Sequence, residues 1–296
     1  MTADLKDRYV DNDGVTIHYM TAGSGPLIVL IHGFPDFWYT WRHQLDTLAE
    51  THTVAAVDTR GYNLSDKPAL EEHYDMEYLL DDVAAVIANE SRQSAVIIGH
   101  DWGAVIAWTF AARRPDLTER LVILSIPHLK NIAAVLSQPE HPQTVSLAYI
   151  EDFQKPGSED AFDPAGMASF MSPGNEEVRS RYQAAFEQTS FAAAMNYYRR
   201  NTLKRLAEEH ADLDPIGVPV LQFHGLDNPA FLPEGLNNTW QHLGASWTLV
   251  TIPNAGHWPH HDQPELVTAT ISDWLAQPHR PQPSTRSTGS SHGSVL

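Results

Sequence analysis

The chain has 296 residues, of which 42% are hydrophobic, and it contains no cysteine. This hydrophobic fraction is sufficient for a buried core, and the lack of thiols excludes disulfides, thiolate zinc sites and a cysteine nucleophile. A formal net charge of −18 argues against nucleic acid and anionic membranes as partners, because both would repel the protein.

The first predicted element is an antiparallel hairpin at residues 9–20, which alternate around the turn Asn12-Asp13-Gly14. Short continuous apolar runs follow, which is typical of parallel strands buried on both faces; they span residues 27–31, 54–57, 95–98 and 121–124. Helical patterns lie between them, including residues 75–89 and 104–113. Strands that alternate with helices predict a doubly wound α/β sheet.

From about residue 128 to residue 214 this alternation stops, and the sequence predicts several helices. Prolines break the stretch at Pro139, Pro142, Pro156, Pro164 and Pro173. Strand patterns return at residues 218–224 and 247–252, before a last predicted helix at 264–276. We therefore expect one α/β core, residues 1–127 and 215–277, with a helical insertion at 128–214. The tail, residues 278–296, lacks periodicity and is expected to be disordered.

The segment most informative about function is Gly99-His-Asp-Trp-Gly103, between a predicted buried strand and a predicted helix. Gly-x-Asp-x-Gly has the layout of the Gly-x-Ser-x-Gly nucleophile elbow, with Asp101 as the central residue. Such a tight turn strains its central residue and leaves no room for side chains two positions away, which explains both glycines. The following helix N-terminus favours a carboxylate. An aspartate that only caps the helix is the plainer alternative.

An aspartate nucleophile indicates a particular class of reaction. Serine needs a base to remove its proton and suits acyl transfer, whereas a carboxylate is already ionised and can displace a leaving group at saturated carbon. The product is an alkyl ester of Asp101, which a base-activated water must then hydrolyse. Carbon–oxygen bonds of epoxides and carbon–halogen bonds fit this two-step chemistry.

The base is expected after the last strand, because histidine comes last in the hydrolase order. His257 has that position, with His260 and His261 on the same loop as alternatives. Since the chain has 16 histidines, position is what distinguishes His257.

An oxyanion hole is predicted where the strand 27–31 ends in the turn His32-Gly-Phe-Pro35. The backbone N–H groups of Phe34 and Trp102 are the expected donors. A turn that merely requires glycine and proline is the alternative.

Together these motifs resemble those of the epoxide hydrolases of the α/β-hydrolase fold. Residues 32–44 look like that family's motif around the oxyanion hole, residues 58–68 like its second signature, residues 99–103 like its nucleophile motif, and residues 256–258 like its base motif. The resemblance covers residues 9–276. It implies an α/β-hydrolase fold, with a mostly parallel twisted sheet, helices on both faces and an inserted helical cap. It also implies conversion of an epoxide to a vicinal diol without a metal or cofactor.

The resemblance further implies two cap tyrosines. Epoxide opening generates an alkoxide, to which a phenol with a pKa of about 10 can donate a proton. Residues 149–157 resemble the first such site and give Tyr149; residues 196–199 resemble the second and give Tyr198. The predicted substrate-binding residues are Phe37, Trp38 and Tyr197, although core packing explains aromatic residues equally well.

The acid that orients His257 is where the chain departs from the family. Relatives commonly carry it three residues after a glycine such as Gly225, and that place holds Asn228. We predict that a local shift of the turn lets Asp227 face His257 instead. The alternative is that Asp227 belongs to a solvent-exposed turn. Some dehalogenases carry the acid after the sixth strand, but that place here is Leu124-Ser-Ile126.

Two other functions stay open. A haloalkane dehalogenase would use the same nucleophile, with Trp102 as a halide donor, but that family places Asn where this chain has Phe34. A hydrolase-fold binding protein with a degraded triad is the non-enzyme alternative, kept open by Asn228. An assay of products distinguishes the three functions: a dehalogenase releases halide, an epoxide hydrolase forms a diol, and a binding protein does neither.

The leading hypothesis implies a small apolar epoxide as the partner. A cytoplasmic location is expected, because residues 1–13 lack the apolar segment of a signal peptide and no run of the chain reaches membrane-spanning length. The oligomeric state stays open, with a homodimer as one option.

Overall fold

The computed structural model describes residues 3–211 and 213–278. In this part of the chain one sheet has eight strands: β1 (Lys6–Asn12), β2 (Val15–Gly23), β3 (Leu27–Ile31), β4 (Thr53–Val57), β5 (Ala95–His100), β6 (Thr118–Leu124), β7 (Val220–Gly225) and β8 (Trp247–Ile252). Their order is β1-β2-β4-β3-β5-β6-β7-β8. β2 is antiparallel to β1 and β4, and all other neighbours are parallel. The predicted hairpin and parallel strands are confirmed. The predicted disordered tail lies outside the described residues, apart from Pro278.

Helices cover both faces of the sheet. In chain order they are α1 (Leu45–Leu48), α2 (Met76–Asn89), α3 (Trp102–Arg113), α4 (Leu129–Leu136), α5 (Pro142–Ser146), α6 (Tyr149–Phe153), α7 (Pro164–Met171), α8 (Glu176–Gln188), α9 (Phe191–Arg200), α10 (Leu203–Ala211), α11 (Pro259–Asp262) and α12 (Pro264–Ala276). Alternate residues of a strand point to opposite faces, so continuous apolar runs supply two cores. In β3, Val29 packs in the core with α2 and α3, whereas Leu30 packs in the core with α1 and α12.

The helices α4–α10, which we call the helical insertion, lie between β6 and β7 in the chain. Pro142 and Pro164 stand in the first turns of α5 and α7, where proline costs no hydrogen bond. The other prolines predicted to break this stretch, Pro139, Pro156 and Pro173, lie between helices. The described residues contain no helix long and apolar enough to cross a membrane.

The carboxyl ends of the parallel strands meet at one edge of the sheet, which is where ligands bind in open α/β folds. The turn after β3 carries Phe34, the turn after β5 carries Asp101, and the loop after β8 carries His257. The helix α3 begins at Trp102 rather than at the predicted Ala104, so that Asp101 immediately precedes its first turn. The fold therefore brings together residues that are far apart in the chain.

Candidate active site

Asp101 occupies a strained turn between β5 and α3, with φ 51° and ψ −124°. A non-glycine residue at positive φ costs on the order of 1–3 kcal/mol and usually marks a functional position. A Cβ atom on Gly99 would collide with the carbonyl oxygen of Gly103, and one on Gly103 with that of Ile31. The two glycines of the motif are thus required by the close approach of β3, β5 and α3.

The two carboxylate oxygens of Asp101 have different surroundings. Oδ1 accepts a hydrogen bond from the Phe34 N–H at 2.7 Å, and the Trp102 N–H also donates to the carboxylate. Oδ2 lies 3.3 Å from Nε2 of His257. The side chain accepts no capping hydrogen bond from the second or third residue of α3, which removes the plainer interpretation of Asp101 as a helix cap. A Cβ atom on Gly33 would overlap Oδ1, so glycine is needed for the turn after β3 to come this close.

This arrangement keeps Asp101 ionised. Burial alone would raise its pKa, but the hydrogen bond and charge of His257, together with the Trp102 N–H, outweigh burial and hold the pKa below its ordinary value. The N-terminus of α3 adds a favourable partial positive charge. A buried, ionised carboxylate is a nucleophile that needs no deprotonation, and its Oδ2 is not held by the backbone N–H groups that bind Oδ1.

The backbone of His257 is held by two polar side chains. Its carbonyl oxygen accepts hydrogen bonds from Nε2 of His100 at 2.7 Å and from the Ser125 hydroxyl at 2.6 Å. Burial lowers the pKa of His100 to about 3, so this ring stays neutral. The alternative bases, His260 and His261, do not face Asp101: each has Nε2 2.9 Å from the Thr40 hydroxyl. Sequence analysis missed the role of His100 and Ser125, although both lie in segments it singled out.

The structure does not bring Asp227 to His257, which corrects the prediction of Asp227 as the orienting acid. Asp227 is exposed, and its backbone N–H donates to the carbonyl oxygen of Ala255 at 3.0 Å. Asn228 is the buried residue of this turn, with 3% of its surface exposed. Its Oδ1 accepts from the N–H groups of Ala230 and Phe231 at 3.0 and 3.1 Å, so the turn is built around Asn228 and directs Asp227 outward.

An apolar cavity of about 370 Å³ opens next to the nucleophile, and Asp101 and His257 both line it. Aromatic rings in contact with one another form much of its wall: Phe153 lies 5.7 Å from Phe34 and 5.2 Å from Tyr198, measured between ring centroids. Sequence analysis did not identify the other apolar lining residues of the helical insertion, Phe153, Phe162, Met167 and Phe170. Nothing in their spacing separates them from residues that only pack the insertion.

Tyr149 and Tyr198 both line this cavity, which is where a proton donor to the substrate must lie. Burial, reinforced by the negative charge of Asp101, raises the pKa of each phenol above its ordinary value of 10.0. Neither hydroxyl donates a hydrogen bond to another side chain or carbonyl of the described residues. Both phenols are therefore protonated at neutral pH and have a proton to donate into the cavity.

The three residues predicted to bind substrate do not line the cavity. Phe37 is buried against Tyr182 of α8, with ring centroids 5.2 Å apart. Trp38 uses its backbone N–H to bind Asp58, and its ring packs beside Tyr39. The Tyr197 hydroxyl donates to the carbonyl oxygen of Arg60 at 2.8 Å. Packing explains all three, which corrects the prediction.

A buried carboxylate, Asp36, joins three parts of the site. Oδ1 accepts from the Tyr182 hydroxyl of α8 at 2.8 Å, and Oδ2 accepts from the Thr40 hydroxyl at 2.9 Å and from Nε1 of Trp258 at 3.1 Å. Burial raises the pKa of Asp36 despite these donors. The oxyanion turn, the helical insertion and the loop of His257 are therefore tied together by one side chain.

Within the described residues, no group of three or more His, Asp or Glu side chains is arranged to hold a metal ion.

Residues 26–264 match the α/β hydrolase fold family. The AB hydrolase superfamily protein YfhM of Bacillus subtilis is 34% identical over 92% of this chain and 98% of that protein. Epoxide hydrolase 3 of Xenopus tropicalis is 32% identical over 90% of this chain and 76% of that protein. The crystal structure of Bacillus megaterium epoxide hydrolase with an inhibitor superimposes with a TM-score of 0.83, at 28% identity over 91% of this chain and 100% of that chain.

Proposed function

The chain belongs to the epoxide hydrolase family of the α/β-hydrolase fold, and from this premise we propose that it converts small apolar epoxides to vicinal diols through a covalent ester on Asp101. One observation carries the proposal: an ionised aspartate and two protonated phenols line the same apolar cavity. The pairing suits a substrate whose carbon is attacked while its oxygen gains negative charge.

In the first step Oδ2 of Asp101 attacks a ring carbon of the epoxide. The bond between that carbon and the ring oxygen breaks, and the oxygen takes a proton from Tyr149 or Tyr198. A hydroxyalkyl ester of Asp101 results. Since burial has already removed water from the phenols, their hydrogen bonds strengthen as the alkoxide charge develops.

In the second step water attacks the carbonyl carbon of the ester, and His257 accepts one of the water's protons. The negative charge then develops on Oδ1, where the Phe34 and Trp102 N–H groups already donate in the resting enzyme. The tetrahedral intermediate collapses, the ester bond to the diol oxygen breaks, and that oxygen takes the proton from His257. Hydrolysis leaves Asp101 as a carboxylic acid; this acid gives up its proton and the tyrosinate formed in the first step takes one up, which restores both groups for the next turnover.

The apolar lining supports a small apolar epoxide as the substrate, because such walls supply burial rather than specific polar contacts. We also propose that the helical insertion, residues 128–214, acts as a cap domain over the core formed by residues 1–127 and 215–277. The cytoplasmic location and the option of a homodimer stay predictions.

A haloalkane dehalogenase is less well supported. A departing halide needs N–H donors, but the cavity lining offers two phenols, and the Nε1–H of Trp258 there is already bound to Asp36. The phenols suit an alkoxide, which must gain a proton.

The test is incubation of the purified protein with styrene oxide and with a bromoalkane, followed by assay of diol and bromide. We expect diol and no bromide. In a single turnover with excess enzyme in water labelled with heavy oxygen, the label should enter Asp101 and not the first diol, because the diol takes its oxygen from the carboxylate. Label in the diol of that first turnover would contradict the ester mechanism, and bromide release without diol would favour the dehalogenase.

A further inference from the structure

Among the buried side-chain nitrogen atoms without a hydrogen-bond partner in the described residues are Nδ1 of His257 and Nδ2 of Asn228. A buried polar atom without a partner costs on the order of 1–3 kcal/mol, and such atoms in native proteins usually have a functional reason. Nδ1 is the atom that a triad acid would bind, since Nε2 of the same ring faces Asp101.

The two residues lie on loops that pack against each other. The Leu226 N–H donates to the carbonyl oxygen of Ile252 at 3.0 Å, which continues the pairing of β7 with β8 into the following turns. A Cβ atom on Gly225 would collide with the carbonyl oxygen of Gly256, the residue before His257. The ring of Phe231, whose N–H binds Asn228, stacks on the His257 ring with centroids 6.2 Å apart. Asn228 therefore belongs to the surroundings of the base.

The orientation of the Asn228 amide follows from its partners. The N–H groups of Ala230 and Phe231 both need an acceptor, and Oδ1 supplies it. The free group of Asn228 is consequently the donor Nδ2. No acceptor of the described residues is bonded to Nδ1, so nothing there holds a proton on that nitrogen, whereas Oδ2 of Asp101, 3.3 Å from Nε2, favours the tautomer with the proton on Nε2. That tautomer cannot accept a proton at Nε2.

From this arrangement, and on the basis of the function proposed above, we propose that Asn228 leaves Nδ1 of His257 without an acceptor and thereby makes ester hydrolysis the slow half of the cycle. An amide offers no acceptor to Nδ1–H and no counter-charge to the imidazolium, so the proton transfer from water to Nε2 is disfavoured. Ester formation does not use His257 and is unaffected. The hydroxyalkyl ester of Asp101 accumulates during turnover, and the resting tautomer is restored when the diol takes its proton.

The experiment follows the ester directly. Wild-type protein is mixed with styrene oxide, quenched over time and examined as intact protein by mass spectrometry, while diol is measured in parallel. We expect a rapid rise of protein carrying one added styrene oxide, followed by slow release of diol. In Asn228→Asp, a carboxylate can still accept the two backbone hydrogen bonds and can also bind Nδ1–H. Its hydrolysis rate constant should rise by roughly 10²-fold or more, within the ~10⁴-fold that a carboxylate-to-amide change costs in serine hydrolases.

Asp227→Asn is the matched control. It changes the neighbouring exposed carboxylate in the same turn, and both half-reactions should stay at wild-type rates. The acid limb of the pH profile for hydrolysis should move to higher pH in Asn228→Asp only, because an added carboxylate favours the imidazolium. A merely structural effect would not produce that shift. Melting temperatures of all variants check folding.

Three outcomes would overturn the inference: wild-type diol release without detectable ester, an Asn228→Asp variant that folds but hydrolyses no faster, or loss of hydrolysis in Asp227→Asn. In each of these diol still forms in the wild type, so the proposed function stands. If neither ester nor diol forms in the wild type, in Asn228→Asp or in His257→Gln, the proposed function itself fails.

Discussion

At Asp101 the two oxygens of one carboxylate serve different steps, since backbone N–H groups hold Oδ1, whereas Oδ2, which faces Nε2 of His257, attacks the epoxide. We predict that Asp101→Ala abolishes both ester formation and diol release, because no other carboxylate lines the described cavity. Intact-protein mass spectrometry and a diol assay measure the two products. The fold should persist, which circular dichroism can check. Diol formation at the wild-type rate by folded Asp101→Ala would remove the nucleophile from the proposal.

The two cavity tyrosines allow a test with a matched control in α9, the helix that carries Tyr198. Tyr149→Phe and Tyr198→Phe should each slow ester formation by about 10²-fold, because each removes a proton donor that acts in the transition state. The double variant should be nearly inactive. Tyr197→Phe removes the neighbouring phenol, which binds the carbonyl oxygen of Arg60, and should cost about 1 kcal/mol of stability but leave ester formation unchanged.

Rapid-quench kinetics of ester formation in each single variant, the double variant and Tyr197→Phe provide the measurement. Equal rates in all of them would mean that Tyr149 and Tyr198 only pack the helical insertion.

The pKa shifts at the site predict the pH dependence of ester formation. Asp101 must be ionised and acts above its pKa, which lies below 3.8; the phenols must be protonated and act below theirs, which lie above 10.0. Ester formation should therefore be independent of pH between about pH 5 and pH 9. Pre-steady-state rates across this range measure it. An inflection there would indicate that another titrating group takes part in the first step.

At the scale of elements, the turn after β3 can approach Asp101 only because residue 33 is glycine. In Gly33→Ala the new Cβ atom would overlap the Asp101 carboxylate. We predict a loss of about 1–3 kcal/mol of stability, as for other overpacked sites, together with slower ester formation. Gly217→Ala is the control: a Cβ atom there meets nothing within 4 Å, and φ is not positive. It should be neutral or stabilise the protein by about 0.4–1 kcal/mol.

Urea unfolding of both glycine variants measures these differences. Equal stability of Gly33→Ala and wild type would show that the turn can shift without cost.

The elements themselves were largely predictable, because buried parallel strands such as β3 and β5 are apolar without interruption and the elbow glycines mark a strand-to-helix junction. Which of two neighbouring turn residues points inward could not be predicted from the sequence. Asp227 and Asn228 are neighbours of residue types that are both favoured in turns, and the N–H groups of Ala230 and Phe231 bind the one that is buried. Likewise, Phe37 and Tyr198 are both aromatic, and the sequence does not show that one faces α8 and the other the cavity.

For the whole molecule, Asp36 connects the core to the helical insertion, and its replacement tests that connection. An asparagine at position 36 has one acceptor oxygen in place of two. Its NH₂ group would therefore face a hydrogen-bond donor, either the Tyr182 hydroxyl or Nε1 of Trp258. We expect a loss of about 1–3 kcal/mol of stability and faster hydrogen exchange in α8. Asp152→Asn is the control, because its ion pair with Lys155 is exposed to solvent and contributes little to stability.

Denaturant unfolding and amide exchange of α8 in the two variants give the measurement. If Asp36→Asn behaves like Asp152→Asn, the insertion is held by its apolar contacts alone.

The position of the insertion in the chain also has a consequence for biosynthesis. β6 ends at Leu124 and its partner β7 begins at Val220. At 5–20 residues per second, the ribosome needs roughly 5–20 s to produce the intervening segment. During that interval a nascent sheet that ends at β6 has an unpaired, apolar edge, and such edges associate with other chains. A messenger that is translated slowly across this segment therefore prolongs the period in which the emerging polypeptide depends on chaperones.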